Sequence, residues 1–465
     1  MRISPAAAPA SPSPVSFRCV SNARGRIAAA LFAATIAPCA WALAPGEDGV
    51  LITIPISGIA DAAQGAVLDA AGNVIMAGSA GGNYSVLASI TRAGVLNSGF
   101  GTNGVANIDL SQNLGDSLRA VGRMADGRLV GCGTFFSAGT ATDFVTARFM
   151  GDGSLDGTFD GTGYAVTSFL QSGPGGSLFD QCNAVAVQAD GMIVSAGFTA
   201  EMGPNHVALT RHTASGQLDT LFGTGGKVDI NAAQTSNGNS EARAVLIQPD
   251  GKILVAGYAF GPGNAELLLM RLNTDGTPDA TFGTGGITRT GVGTGEDMAN
   301  AMVRQPDGRI VIAGSTIVSD GRRDFVVARY TTAGVLDPTF GTGGLVTTAV
   351  GPSDDIAYSL TLMPWGRLVA AGSARISTGS SGNDLALVAY NADGSLDLYF
   401  GDAGKRMVNV SDFDDIIYGM VNDIDGEHFW AVGTAAPLGN QDFLAVEFGL
   451  PDTIFRHGFD TNTAP

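Results

Sequence analysis

Several scarcities narrow the possibilities before any motif is read. Histidine and cysteine number four each and tryptophan three in 465 residues. There is no Gly-x-Ser-x-Gly elbow, no His-Glu-x-x-His and no Cys-x-x-Cys, which sets aside the common nucleophile, metalloprotease and dithiol patterns. His206, His212, His428 and His457 contain no pair at helical metal-ligand spacing, although a site assembled across repeats is not excluded by spacing. Gly-Thr-Gly-Gly-Lys at 223–227 lacks the spacing and the following Ser/Thr of a phosphate loop, and it recurs as a turn.

Positive charge is also short. Charged residues are 15% of the chain, with 25 Lys and Arg against 43 Asp and Glu, a net charge of −18. Four of those bases, Arg2, Arg18, Arg24 and Arg26, lie in the first 44 residues, which carry no acid. The remainder has 21 bases against 43 acids, or −22. Such a surface repels phosphate backbones and anionic lipid, so nucleic acid is not an expected partner.

The apolar run Ile27–Ile36 is too short and too alanine-rich for a comfortable membrane span. Arginines precede it, and Ala40-Trp41-Ala42 and Ala42-Leu43-Ala44 follow, the pattern of an export leader with an A-x-A cleavage site. Residues 1–44 are therefore expected to be a signal peptide, with no membrane insertion after cleavage. The expected location is secreted, periplasmic or on a bacterial cell surface. The competing reading is a single membrane anchor. Cys19 and Cys39 would leave with the leader, and Pro38 makes Cys39 a poor lipidation site. Cys132 ends the second strand of one repeat and Cys182 opens the first strand of the next. They form either a disulfide stapling neighbouring repeats or two buried thiols.

Glycine is abundant, at 67 residues, and interior helix positions disfavour it by about 1 kcal/mol each. Short strands joined by tight turns suit it better. Gln305-Pro306-Asp307-Gly308-Arg309-Ile310-Val311-Ile312-Ala313-Gly314 is a tight turn followed by an apolar run that stops at a small pair. The phrase recurs with its turn glycine at Gly72, Gly127, Gly191, Gly251, Gly308, Gly366 and Gly426, at spacings of 55, 64, 60, 57, 58 and 60. Fixed-period similarity marks a solenoid, propeller or array.

Each repeat predicts four strands. Before the turn, the residue seven earlier is always small (Gly65, Ala120, Ala184, Ala244, Ala301, Ser359, Gly419), and the residue nine earlier is always apolar. Between them stand Gln64, Arg119, Asn183, Arg243, Asn300, Tyr358 and Tyr418. This reads as period-two alternation with one crowded position, as where strands converge on an axis. The second strand is apolar almost throughout. The third is clearest as Asp324-Phe325-Val326-Val327-Ala328-Arg329-Tyr330, and the fourth follows Leu336-Asp337-Pro338-Thr339-Phe340-Gly341-Thr342-Gly343-Gly344.

Four strands repeated seven times predict an all-β fold, a seven-bladed β-propeller of four-stranded antiparallel blades over residues 45–458. The other reading is an open solenoid. Residues 451–455 resemble a degraded copy of the Leu-Asp phrase with no strand after it, whereas Gly49–Ile54 is a strand with nothing before it. The N-terminal strand is thus expected to complete the C-terminal blade, which removes a free edge. Residues 459–465 are read as a short tail.

The turn phrase, the Asp-Phe-x-x-Ala-Arg-Tyr strand and the Leu-Asp-x-Thr-Phe-Gly-x-Gly-Gly phrase, recurring in fixed order, resemble the delta-60 repeat family. The nearest matches are 248–286 and 305–344, with departures at Ala71-Gly72-Asn73, Met363-Pro364-Trp365 and 423–428. The resemblance implies exported or surface-associated bacterial repeat proteins with no shared activity and no catalytic residue to transfer. The stretch 454–460 is similar to endings of secreted proteins of some Gram-negative bacteria.

Two acidic series recur. Asp61, Asp116, Asp180, Asp297, Asp355 and Asp415, with Ser240 in the remaining repeat, are either a cation-binding ring or carboxylates accepting backbone N–H bonds at the strand entry. Ser240 favours the second. The Asp of the Leu-Asp phrase is read the same way, and its Phe as a plug between blades. Calcium at 273–279 would need six to eight oxygens, and the equivalent turns lose the first acids, so no cofactor is expected. Unrepeated features are where specialised function belongs: Gln64, Arg119, Asn183, Arg243, Asn300, Tyr358 and Tyr418, the aromatics Tyr84, Trp365 and Trp430, and the loop Gln171–Phe179. If the first strand is innermost, the polar set lines the channel mouth as a ligand site or simply as a wet lining. The expectation is a monomeric binding or scaffolding module for a surface protein or glycan. The alternatives are a propeller lyase or hydrolase acting over the channel, and a purely structural envelope protein.

Overall fold

The repeat folds as its strands and turns dictate, seven times around one axis. A computed structural model of the chain describes residues 39–42 and 50–449, except 58, 82–83, 112–114, 137–141, 170–178, 201–202, 236–237, 377–381 and 438. Most of the expected leader, the degraded copy at 451–455, the tail 459–465, His457 and most of the loop 171–179 lie outside the described residues.

Blade 5 shows the unit: Asp297–Arg304, Ile310–Ile317, Arg323–Tyr330 and Leu345–Thr348, each antiparallel to the next. Among the described residues there are seven such sheets, six of four strands and one of five. In that last sheet Val50–Ile54 pairs antiparallel with Asp442–Gly449, with Ile52 opposite Ala445, so the N-terminal strand completes blade 7. Leu51, Ile52 and Ile54 are buried there. Cys39–Ala42, inside the expected leader, pairs outside Val50–Ile54 as the fifth strand.

The first strand of each blade is innermost and touches the first strands of both neighbours around the ring. That packing explains the small position. A Cβ on Gly419 would come 3.1 Å from Gly65 Cα, and one on Gly65 would come 3.5 Å from Ala120 Cα. The second and third strands are buried on both faces, and the hydrophobic cores lie between sheets. One core joins Val311, Phe325 and Phe340 of blade 5 to Leu368, Ala370 and Tyr390 of blade 6.

A recurring clamp ties one blade to the next. In blade 5, Arg329 Nε donates to Asp337 Oδ2 at 2.9 Å, Nη2 to Thr339 Oγ1 at 2.9 Å and Nη1 to the Ala392 carbonyl of blade 6 at 2.5 Å. The guanidinium lies over the ring of Phe340. Arg148, Arg211 and Arg271 repeat the arrangement with Asp156, Asp219 and Asp279, over Phe159, Phe222 and Phe282. The Phe is a plug between blades. Gly334 of the next hairpin turn, at φ +79°, has no room for a Cβ, which would fall 2.6 Å from Phe282. Where Ser89 replaces the Arg, Asn97 replaces the Asp, and the two remain hydrogen-bonded at 3.3 Å.

The strand-entry acids accept backbone donors. Asp355 takes the N–H groups of Val350 and Gly351 at 2.6 and 3.0 Å, and Asp415 those of Val410 and Ser411 at 2.7 and 2.8 Å. Ser240 accepts that of Ala232 at 3.1 Å.

Cys132 and Cys182 are joined by a disulfide with Cα atoms 5.9 Å apart, linking blade 2 to the inner strand of blade 3. Cys132 lies inside its strand, which runs on to Phe136, and not at its end.

Candidate functional site

The alternation read in the first strand is in fact a β-bulge. In blade 5 Ala299 pairs with Gly314 and Ala301 with Ala313, leaving Asn300 unpaired between them. The same skip falls on Gln64, Arg119, Asn183, Arg243, Tyr358 and Tyr418 in the other six blades. A bulge bends its strand and re-aims the extra side chain. Opposite each bulge stands the glycine that ends the turn phrase. A Cβ on Gly314 would fall 1.8 Å from the Met298 carbonyl oxygen, and one on Gly78 would fall 1.9 Å from that of Ala62. The terminal glycine of the phrase was thus the sequence signal for the bulge, and its meaning required knowing what faces it.

The seven bulge residues are all half-buried and meet around the axis. Asn183 Nδ2 donates to the Ala242 carbonyl at 2.9 Å, Arg243 Nη1 to Asn300 Oδ1 at 2.7 Å and Asn300 Nδ2 to the Ala357 carbonyl at 2.7 Å. The rings of Tyr358 and Tyr418 are 5.2 Å apart, inclined at 58°. Charges also act between blades that are not neighbours: Arg119 with Tyr418 and with Arg243, and Tyr358 with Arg243. The set therefore converges on one channel. Arg243 also lies 3.7 Å from Glu241 and 5.1 Å above the ring of Tyr258. Glu241 in turn accepts from Asn205 Nδ2 at 2.7 Å.

Burial governs the titration of the site. It pushes the Tyr418 phenol up to about 12, with Tyr358 and Asp414 adding and Arg119 opposing. Tyr358 is raised by burial against the pull of Arg243 and Arg323. The Arg119 guanidinium is drawn below its ordinary value by burial, with Tyr418 opposing and Arg243 adding. Both phenols keep their protons at neutral pH.

The other singular features do not join this site. Trp430 is fully buried in the core between blades 7 and 1. Trp365 is exposed on the 1–2 turn of blade 6, with φ 61°, at the far end of the inner strand. Tyr84 opens the third strand of blade 1 and is partly exposed. His212 is buried beside Phe159, and burial lowers its pKa to about 4. His206 and His428 sit at the surface against Asp229 and Asp425, at 2.9 and 3.0 Å. In the turn 273–279, Asp275 accepts from the Thr277 backbone at 3.0 Å and its hydroxyl at 2.6 Å, while Asp279 is held by Arg271 and Lys252, so these acids face their own turn and blade. Among the described residues no group of three or more His, Cys, Asp or Glu is placed to hold a metal, and no helix is long and apolar enough to cross a membrane. An open cleft of about 540 Å³ between blades 5 and 6, lined by Gly341, Leu345, Thr347, Asp393 and Ser395, lacks convergent charge.

Four segments, 125–159, 248–282, 305–340 and 366–400, match the model of a family described as a domain of unknown function (DUF5122) beta-propeller. Each match runs from the turn phrase to the plug Phe. Among solved structures, the chain is similar to a polysaccharide lyase, Uly1, at 10% identity and TM-score 0.46, covering 83% of this chain and 90% of that one. It is also similar to an ulvan lyase of polysaccharide lyase family PL25, at 12% identity and TM-score 0.39, covering 75% and 78%. At these values neither likeness bears on what the chain binds. No curated protein matches it significantly in sequence.

Proposed function

We propose that this chain is an exported, monomeric propeller of the delta-60 repeat kind, which binds a glycan or a surface protein at its axial mouth and performs no catalysis. The observation that carries this reading is the bulge. One backbone feature is built identically into all seven blades, yet it presents two arginines, two tyrosines, two asparagines and a glutamine to the same channel. Geometry held constant while chemistry varies is what a recognition surface on a symmetric scaffold requires.

A lyase or hydrolase at this mouth would need a base poised near neutrality. The phenols move the other way, Tyr418 to about 12. No cofactor is invoked, and the acidic surface favours neither nucleic acid nor anionic membrane.

A thermal-shift and calorimetric screen of the chain from Pro45 against glycans and peptides, with and without chelator, tests the reading. A hit lost in Arg119→Ala plus Tyr418→Ala supports it. Turnover of a bound glycan would replace it with the enzymatic alternative, and a melting temperature that falls with chelator would restore a calcium role.

A further inference from the structure

The seven bulge residues divide into two sectors by how fully their polar groups are used. Across blades 3 to 5, Asn183, Arg243 and Asn300 hydrogen-bond to one another or to the next inner strand, and Arg243 is balanced by Glu241. Across blades 6, 7, 1 and 2 the pattern stops. Tyr358 and Tyr418 meet through their rings, and neither Gln64 nor Arg119 has a hydrogen-bond partner among the described residues.

Arg119 is the anomaly. Its Nε is shut away from solvent without an acceptor, and among the described residues no carboxylate forms an ion pair with it. Burying part of a guanidinium without a protein acceptor costs the protein that carries it. Among the described residues no acid forms an ion pair with it, and Glu241 acts on it only through its charge. Arg243, at the same structural position two blades away, has been given Glu241, Asn300 and Tyr258.

We propose that Tyr358, Tyr418, Gln64 and Arg119 form the subsite for a carboxylate-bearing sugar residue of an acidic glycan, with the Arg119 guanidinium holding the carboxylate. This rests on the axial mouth being the binding face. The planar fork of an arginine suits a carboxylate, which it grips through paired N–H donors. The two phenols and the carboxamide offer donors and acceptors to hydroxyls, and the phenol rings offer apolar faces to a sugar ring. The surrounding charge selects among anions. Glu241 and Asp414 act on the same pocket, the first on Arg119 and the second on Tyr418. One free cation beside two acids accommodates a single carboxylate spaced by neutral hydroxylated units. It disfavours a phosphate dianion or a run of acidic peptide side chains, which a row of cations would fit.

The test is calorimetry on the chain from Pro45 with tetragalacturonate, its neutral methyl ester, a tetraglutamate peptide and inorganic phosphate, alongside Arg119→Gln, Arg119→Lys and Tyr418→Ala. The expected result is binding of the acid form alone. It should weaken about tenfold to a hundredfold in Arg119→Gln, the range for one charge-assisted contact. Arg119→Lys should recover part of it, and affinity should fall as salt rises. Ligand-free Arg119→Gln should melt no lower than the parent, because it removes an unpaired charge; a clear fall would make Arg119 structural and overturn the proposal. Equal binding of acid and ester, unaffected by Arg119→Gln, would overturn the carboxylate while leaving the mouth as the binding face. Binding of the peptide or phosphate in place of the glycan would overturn the saccharide class. If no glycan or peptide of any charge binds, and Tyr418→Ala changes nothing, the binding reading itself fails.

Discussion

Arg329 lies over Phe340, its guanidinium carbon 4.7 Å from the ring centroid, and this contact is one corner of a joint between blades. Asp337 completes it. Both charged side chains are 5% exposed, and without Arg329 the buried Asp337 would keep only Arg309, 2.9 Å away, as a charged partner. Arg329→Met is expected to cost about 2–3 kcal/mol, below the range of about 3–5 for leaving a buried charge wholly unpaired, because Arg309 and Thr339 still hold Asp337. Arg329→Ser with Asp337→Asn, the combination blade 1 carries as Ser89 and Asn97, is expected to cost less than the single change. Urea unfolding of the parent and the two variants checks this, and equal losses would show that the pair is not coupled.

Stability should pass through a maximum in mildly acidic solution. Burial pushes Asp355 and Asp415 up to about 6, so each holds its proton more tightly in the folded chain than in the unfolded one. Their contribution is fully present below the unfolded value near 4 and is lost as pH rises through about 6. Asp156 runs the other way. The Thr158 hydroxyl, with Arg128 and Arg148, holds its carboxyl well below the usual range. In Asp279 burial is outweighed by Lys252, Thr281 and Arg271. Those contributions are present above about 4 and fall away in acid. The melting temperature should therefore rise on going from about pH 7.5 to 5 and drop below about 4. Asp355→Asn with Asp415→Asn should flatten the upper limb.

Deleting residues 50–54 should open the ring. The strand Asp442–Gly449 would become an edge with unpaired backbone groups, a template for pairing with another chain. We expect a lower melting temperature and association that grows with concentration, read by light scattering. A monomer of unchanged stability would mean that closure contributes little.

The Cys132–Cys182 disulfide spans 50 residues and joins two blades. Its removal by Cys132→Ser with Cys182→Ser should lower unfolding free energy by about 2–4 kcal/mol, chiefly by freeing the unfolded chain. The denaturant midpoint reads this directly. The same shift should follow from reductant on the parent protein and be absent from the variant.

The blade count, the four strands and the exchange of the N-terminal strand were legible in the chain because each rests on local pattern repeated seven times. A turn glycine at a period near sixty, an apolar run and a Leu-Asp-x-x-Phe phrase need no knowledge of neighbours. The plug Phe and the strand-entry acids were likewise readable, since a residue required once per blade serves the blade. The inner strand was misread as plain alternation because a bulge leaves the same trace as a period-two pattern over three residues. What distinguishes them is the facing glycine, whose missing Cβ makes room for a carbonyl from the partner strand. The difference between Arg119 and Arg243 could be seen only in part in the sequence, for the two occupy the same place in the repeat. Glu241 stands two residues before Arg243 on its own strand, where blade 2 has Ser117, but only closure of the ring brings Asn300 to one and, among the described residues, leaves the other without an acceptor. Local chemistry chose the strands; convergence on the axis decided which polar groups found partners within the ring.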